Sequence, residues 1–487
     1  MGIIPDEKTL SRHDGTSQWG TLTTIDESPV KSGLIWVGAD DGTVQVTQDG
    51  GQTWKNLSGK FPDFDDHRAT VSRVVASHAS ESRAYACFDR HQLDDFSPYI
   101  FTTDDSGETW QSISSNLPEV GWVNVVIEHP TSTNLLFAGT ETGLYVSINR
   151  GKQWHRMTGN FPTVPVDDLV IHPRDNDLIV GTHGRSIYIL DDLSPLQQLT
   201  PDRLQSDVAL FDVRATYPFL PWKHESYGAQ RQFIGENPPN GAIVTYFLGA
   251  DVDSEISFDV YDSEGEHIRR IDGTNQRGMN RVVWDLRVSA PENVPRARGP
   301  LVPPGSYRIQ LNTVDKKLET TVEVGIDPAT DKTATELRER YGFLIASKTL
   351  VEEIRDAGQL TKKIVEQIEA FLKGPGKEAP EELRTSAKDV VSESNSIRTQ
   401  LVGSGGRPSF RNPSLQMQVG RLFSEIDGDA VRQGTFDGPT KSQRARLAAL
   451  ETKAKSEFER LQQLVEVSIP QLNKEIEALK LPWIRIK

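Results

Sequence analysis

The octet Thr47-Gln-Asp-Gly-Gly-Gln-Thr-Trp54 returns as Thr103-Asp-Asp-Ser-Gly-Glu-Thr-Trp110 and, weakened, as Ser147-Ile-Asn-Arg-Gly-Lys-Gln-Trp154. Its constant positions are a hydroxyl (Thr47, Thr103, Ser147), an Asp or Asn (Asp49, Asp105, Asn149), a glycine (Gly51, Gly107, Gly151) and a tryptophan. Each suits a tight turn between strands. The acid or amide accepts backbone N–H groups that the turn exposes, and the hydroxyl ties the preceding strand to the turn. Glycine takes a positive φ closed to other residues. The indole opens the next strand and buries a large ring between sheets.

Alignment on the octets uncovers a longer repeat. Apolar runs at Leu22–Ile25, Val71–Val75, Val123–Ile127 and Val166–Ile171 are followed by Leu34–Gly38, Ala84–Phe88, Leu135–Gly139 and Leu178–Gly181. A third set is Val44–Val46, Tyr99–Phe101, Leu144–Val146 and Ile187–Leu190, and a fourth strand starts at each octet tryptophan. Four short antiparallel strands per repeat of roughly 45 residues describe a propeller blade. The sequence therefore predicts about four blades in residues 1–195, the last ending after three strands without an octet. Asp14 and Trp19 share the acid-to-indole spacing, but Arg12 and Thr16 replace the hydroxyl and the glycine, so that match reads as accidental. The expected form is an incomplete ring, with further blades upstream or supplied by a partner.

The octet resembles the Asp-box, or bacterial neuraminidase repeat, of sialidases, xyloglucan hydrolases and sortilin-type receptors. In that family the box is a folding element and not a catalytic one. The segment Ile171–Asp192, with Leu34–Gly42 and Phe137–Gly143, further resembles large bacterial extracytoplasmic proteins of sortilin-like type that carry a glycosyl-hydrolase label. That resemblance implies an extracytoplasmic location, periplasmic or secreted, and a longer propeller region before Met1. The lone Cys87 departs from sortilin-type receptors, whose propeller is followed by a cysteine-rich module.

Chemistry in such a repeat belongs on the rim opposite the boxes, where the loops between second and third strands open. These loops carry Asp40 and Asp41, then Asp89, Arg90, His91, Asp94 and Asp95, then Glu141, then His183 and Arg185. Paired carboxylates can serve as acid and base in glycoside hydrolysis, which makes Asp40, Asp41 and Glu141 catalytic candidates. The remaining seven form a candidate ligand-binding set. Against catalysis, short Asp-Gly and Glu-x-x-Gly loops are ordinary turn chemistry, and a sialidase's arginine cluster and tyrosine nucleophile are missing. His78, His129 and His172 repeat one position at the end of first strands, so they read as a turn feature and not as a metal set.

Composition narrows the partners. A net charge of −15 argues against nucleic-acid and anionic-membrane binding. One cysteine permits no intramolecular disulfide and no thiolate metal cage. No apolar run reaches transmembrane length, and Met1-Gly-Ile-Ile-Pro-Asp6 lacks a leader's basic and apolar regions. No cofactor is expected. The partners expected are a protein or glycan on the rim, or self-association through an open propeller edge or the helical tail.

Past the repeats, residues 196–241 carry Tyr217-Pro-Phe-Leu-Pro-Trp222 and Asn237-Pro-Pro-Asn240 and read as an apolar strap, able to supply the last blade's missing strand. Alternation at Ala242–Leu248, Ile256–Tyr261, His267–Ile271, Asn280–Leu286, Gly305–Leu311 and Glu319–Val324 predicts an Ig-like sandwich over 242–328. Gly278–Asp285 with Val302–Tyr307 resembles the Ig-like modules of the flagellar hook-capping protein and of bacterial secreted enzymes. From 329 to 487, apolar residues at helical spacing predict a bundle of three or four helices. Gly403–Pro408 lacks the Lys-Ser/Thr of a phosphate loop and reads as a linker.

Overall fold

The computed structural model describes residues 20–66, 68–220, 235–291, 298–404, 412–428 and 434–481. The Asp14–Trp19 match, Trp222 and most of 403–408 lie outside them. The chain divides into two compact units, Met1–Asp212 with Phe247–Gly249, and Val213–Tyr246 with Ala250–Lys487.

The first unit is a succession of antiparallel sheets, each hydrogen-bonded in sequence order. The first holds Leu22–Glu27, Ile35–Ala39, Val44–Thr47 and Lys55–Asn56. The second holds Thr70–Ala76, Ala84–Arg90, Asp95–Thr103 and Gln111–Ser112. The third holds Val123–His129, Ser132–Thr140, Gly143–Ser147 and His155–Arg156. The fourth has three strands, Val166–Ile171, Leu178–Thr182 and Ile187–Leu190. Period-two alternation gives every inner strand two apolar faces, and successive sheets bury these against each other. Trp36, Val44 and Val46 of the first sheet meet Val71, Val74 and Ala76 of the second. Tyr85, Cys87 and Ile100 meet Val123 and Val126. Val125, Phe137, Leu144 and Val146 meet Val166, Leu169 and Val180. Face-to-face stacking of like four-stranded sheets in sequence order is a β-propeller arrangement.

Close approach is built in at one repeated position. An ideal Cβ on Gly38 would lie 2.4 Å from Val71 Cγ1, and one on Gly139 would lie 2.5 Å from Val166 Cγ1. Every first strand also bulges near its start, at Thr23, Ser72, Asn124 and Asp167. The bulged residue is unpaired in its own ladder, and in three sheets it reaches the next. Thr23 Oγ1 donates to Val71 O at 2.6 Å, Ser72 Oγ to Val123 O at 2.6 Å and Asn124 Nδ2 to Val166 O at 3.2 Å.

The box turns lie between third and fourth strands. Thr103 Oγ1 donates to Asp105 Oδ1 at 2.8 Å and accepts the Gly107 N–H at 3.0 Å. Asp105 accepts Thr109 N at 2.8 Å and Thr109 Oγ1 at 2.6 Å. Thr47 and Asp49 repeat this set, and Ser147 and Asn149 repeat most of it. The Thr53 and Thr109 bonds hold the Asp49 and Asp105 carboxyls down to about 2. Trp110 packs against Trp36 and Phe61 of the preceding sheet region, and Trp154 Nε1 donates to Ile113 O at 2.7 Å. Trp54 departs from the burial expected of it: its ring is 42% exposed. The reason is topological, because each box indole packs backward and no described sheet precedes the first.

Among the described residues, the strap does not complete the fourth sheet. Leu190 stands where the other repeats place the box hydroxyl. The chain then turns through Asp192, whose Oδ1 accepts Ser194 N at 3.1 Å, into a helical turn at Ser194–Gln197 with Pro195 in its first turn. Proline lacks the N–H a strand needs. Leu193 is buried in the core between third and fourth sheets. Val208–Leu210 runs instead toward 247–249, where Gly249 N–H donates to Asp207 O at 2.9 Å.

In the second unit, His267–Asp272, Ser257–Tyr261, Gly305–Asn312 and Lys317–Val324 form one sheet in that order, and Ala242–Leu248 shares another with Gly278–Trp284. Trp284 is fully buried, 5.2 Å from the Tyr307 ring, and donates Nε1–H to Arg287 O at 3.0 Å. Among the described residues five helices follow: Ala334–Lys373, Glu381–Leu401, Leu415–Asp427, Lys441–Gln463 and Ile469–Ala478. A Thr333–Glu336 capping box starts the first. The apolar stripes read from sequence meet in one core that includes Leu344, Ile354, Ile364, Ile397, Val419 and Leu472. Pro470 would clash with the carbonyl four residues back in a regular helix, and Leu464–Ser468 relieves this as a π-helical turn.

Candidate functional site

The loops opposite the boxes bring two His–Asp pairs and one carboxyl toward each other. In the second sheet, Asp89 accepts the His91 N–H at 2.8 Å, and its carboxylate lies 2.6 Å from His91 Nδ1. In the fourth, His183 Nδ1 lies 3.1 Å from Asp167 Oδ2. Glu141, at the turn after Ser132–Thr140, stands within the field of both pairs. Burial raises its pKa, Asp167 and Asp89 raise it further, and His183 and His91 pull the other way. The carboxyl thus holds its proton to higher pH than an ordinary glutamic acid.

An aromatic row borders this cluster. The His91 ring stacks on Trp122 at 4.7 Å and 28°, and Phe96 lies 6.0 Å beyond at 40°. Backbone bonds fix the row: Gly121 N–H donates to Phe96 O at 2.8 Å, and Glu141 N–H donates to Trp122 O at 3.1 Å. Trp122 Nε1 donates to Asn124 Oδ1 at 3.0 Å, which sets the indole's tilt. Phe96 is exposed and Trp122 partly so.

The other candidates have local partners. Asp40 Oδ1 accepts Gly20 N and Thr21 N at 2.8 and 3.0 Å. Asp41 is buried and accepts Thr43 N at 3.0 Å. Asp40 therefore ties its loop to the entry of the first strand, Asp41 braces its own loop, and Glu141 alone of the three catalytic candidates joins the cluster. Arg90 pairs with Asp95 at 3.4 Å and lies over the Phe64 ring at 5.4 Å. Burial opposes ionisation of Asp95, but Tyr99, Ser97 and Arg90 outweigh it and hold its carboxyl below the usual range. Asp94 is exposed in a left-handed conformation, φ 56°, and Arg185 is exposed near His183 in the same loop.

Two cluster residues escaped the reading of loops alone. Trp122 lies in the connection entering the third sheet, which opens on the same rim. Asp167 occupies the bulge position, where the other sheets carry Thr23, Ser72 and Asn124, all donors. A carboxylate only accepts and cannot make their bond to a carbonyl, so aligning the bulges would have exposed it. The repeated histidines serve turns: His129 Nδ1 accepts Thr131 N–H at 3.2 Å and His172 Nδ1 accepts Asp175 N–H at 3.2 Å. Among the described residues, no group of three or more His, Cys, Asp or Glu is placed to hold a metal ion, and no helix is long and apolar enough to cross a membrane.

Residues 98–206 match the family described as Sortilin-Vps10 (sortilin, neurotensin receptor 3). An oligoxyloglucan reducing end-specific xyloglucanase of Emericella nidulans is 28% identical over 106 residues, 22% of this chain and 12% of that enzyme. The chain thus spans about an eighth of that relative's length. Among solved structures, the GH74 xyloglucanase of Xanthomonas campestris aligns at 11% identity and TM-score 0.30, over 62% of this chain and 44% of that one. YCF48 of Cyanidioschyzon merolae aligns at 16% identity and TM-score 0.26, over 55% and 87%. The fold assignment rests on the stacked sheets themselves. Together with the boxes, the sequence matches mark the chain as similar to sortilin-like propeller proteins that carry a glycosyl-hydrolase label.

Proposed function

We propose that this chain is a non-catalytic, glycan-binding propeller protein. Four blades in residues 1–195 present the rim, and a strap (196–241), an Ig-like sandwich (242–328) and a helical bundle (329–487) follow as a scaffold. The observation that carries the reading is the His91–Trp122–Phe96 row beside Glu141. Partly exposed aromatic faces offer an apolar stacking surface with polar edges. Carboxylates and imidazoles bordering it supply acceptors and donors for hydroxyl groups. The xyloglucan-degrading relative and the sortilin-type match support a glycan or protein ligand and an extracytoplasmic location.

The test is affinity electrophoresis and calorimetry of the whole chain against xyloglucan, its oligosaccharides and unrelated glucans. Wild-type protein is expected to bind at least one of these. Trp122→Ala should weaken that binding about tenfold or more, as loss of a ring contact worth roughly 1.5 kcal/mol would. Equal binding by the variant, or no glycan binding by wild-type protein, overturns the reading. A second reading, glycoside hydrolysis, is favoured by Glu141, whose raised pKa beside Asp167 suits a general acid with a carboxylate partner. It requires reducing-sugar release from xyloglucan that Glu141→Gln abolishes while binding persists.

A further inference from the structure

Among the described residues, the outer faces of the first and fourth sheets carry the complementary halves of the internal interfaces and are exposed. On the entry face of the first sheet, Leu22 and Ile25 are 60% and 67% exposed. Their counterparts Val71, Val123 and Val166, and Val74, Val126 and Leu169, are all buried against a preceding sheet. Trp54 shares this face, as does Gly51, whose ideal Cβ would meet only its own Trp54. The counterparts Gly107 and Gly151 would drive a Cβ to 2.6 Å from Leu57 and 2.8 Å from Ile113.

On the exit face of the fourth sheet, Ile187 and Ile189 are 69% and 61% exposed, while Val44, Ile100 and Leu144, and Val46 and Val146, are buried by a following sheet. Gly181 occupies the position of Gly38 and Gly139, over which Val71 and Val166 sit. The nearest heavy atom to its ideal Cβ is Asp168 O of its own sheet, at 3.6 Å. The socket for a following strand is therefore kept, and Leu22 holds the place of the residue that fills it.

We infer that these faces are two halves of one interface, and that two copies of this chain join head to tail, Leu22 of each over Gly181 of the other, into a closed ring of eight blades. The inference rests on the four-blade reading. Heterologous contacts form rings when the rotation closes, and eight blades lie within the usual propeller range. The three internal interfaces are the template: the pairing repeats their apolar set and the glycine socket of two of them, Cys87 holding that position in the second sheet. One element differs. Asp167, in the staple position of Thr23, Ser72 and Asn124, cannot donate to the partner's carbonyl while ionised, so each junction lacks that bond.

Sedimentation velocity and light scattering on the full chain test this independently of glycan binding. Wild-type protein is expected at twice the mass of one chain at about 100 µM. Leu22→Asp and Gly181→Val should each raise the dissociation constant at least tenfold without lowering the unfolding temperature, because neither position is crowded within one copy. Asp167→Asn, which restores the donor of Asn124, should lower it. Leu22→Cys protein mixed with Gly181→Cys protein should form a disulfide-linked dimer under oxidised glutathione, and neither should alone. A monomer at this concentration, a dimer unaffected by both interface variants, or an open ladder of higher oligomers each overturns the proposal.

Discussion

Replacing the three box tryptophans separates what the box does as a turn from what its indole does as packing. Trp110 and Trp154 are almost fully buried, whereas Trp54 is 42% exposed. Truncating a buried tryptophan to alanine costs about 3–5 kcal/mol, transfer and cavity terms together. At Trp54 about three-fifths of a ring of roughly 200 Å² is covered, which at about 25 cal/mol per Å² is worth some 3 kcal/mol, nearer 2 after allowing for a compact unfolded chain. No cavity opens there, since nothing closes over the face. The two buried sites differ in one atom. Trp154 Nε1 donates to Ile113 O, and its removal orphans that carbonyl. Trp110 Nε1 is buried without a hydrogen-bond partner, so removing it sheds an unpaired donor. The expected order of destabilisation is Trp154→Ala, then Trp110→Ala, then Trp54→Ala. Tryptophan-to-phenylalanine exchange isolates the N–H: Trp154→Phe should cost about 1–3 kcal/mol more than Trp110→Phe. A chain of several units does not unfold in one two-state step, so the assay is native-state hydrogen exchange by mass spectrometry, read sheet by sheet. Equal loss at all three positions, or the largest loss at Trp54, would refute the claim that each indole packs on the sheet before it.

Asp105→Asn imitates the third box, where Asn149 makes the corresponding turn bonds. Above the ordinary aspartate pKa the native Asp105 carboxylate is stabilised by the fold, and that contribution is lost as pH falls toward its depressed value of about 2. The variant should therefore flatten the acid limb of second-sheet stability between about pH 4 and pH 2, measured by exchange or limited pepsin digestion. Glu141 carries the opposite sign. Its raised pKa makes ionisation a cost that appears as pH rises through the folded value. Glu141→Gln should then melt slightly higher than wild type at pH 7 and equally at pH 3, by scanning calorimetry. In the bundle, Asp427 is buried and accepts from Arg340 at 2.8 Å and from Arg287. Asp427→Ala strands both guanidiniums and should cost about 3–5 kcal/mol, read as a fall in the urea midpoint by helical circular dichroism.

The propeller was legible because its information is repeated. Thr103, Asp105, Gly107 and Trp110 act within eight residues, and local bonds of that kind leave a pattern a reader can align. The helices were legible for a related reason, since Leu344, Ile354 and Ile364 announce a period that one face of a helix must bury. The rim was less legible because its geometry is made by residues far apart in sequence. Asp40 and Asp41 have the composition of a catalytic pair, yet backbone N–H donors engage them, Thr43 two residues from Asp41 and Gly20 and Thr21 some twenty residues before Asp40. Trp122 carries no motif of its own, and its place in the cluster is set by His91, thirty-one residues earlier, which stacks on it.

Asp167 shows how a repeat can mark a site by breaking its own rule. At the bulge, three sheets place a side chain that donates to the next sheet's backbone, and the hydrogen-bond partner is always a carbonyl. A residue there has two physical options: to staple, which needs a donor, or to face the rim. Asp167 lacks the donor and faces His183, next to the loop that carries Glu141. One substitution from the repeat's norm therefore does two things at once. It adds an acceptor to the rim cluster, and it withholds the polar bond from the face where Ile187, Ile189 and Gly181 remain uncovered. Association at that face would then rest on apolar contact alone, weaker and more reversible than the junctions inside the chain.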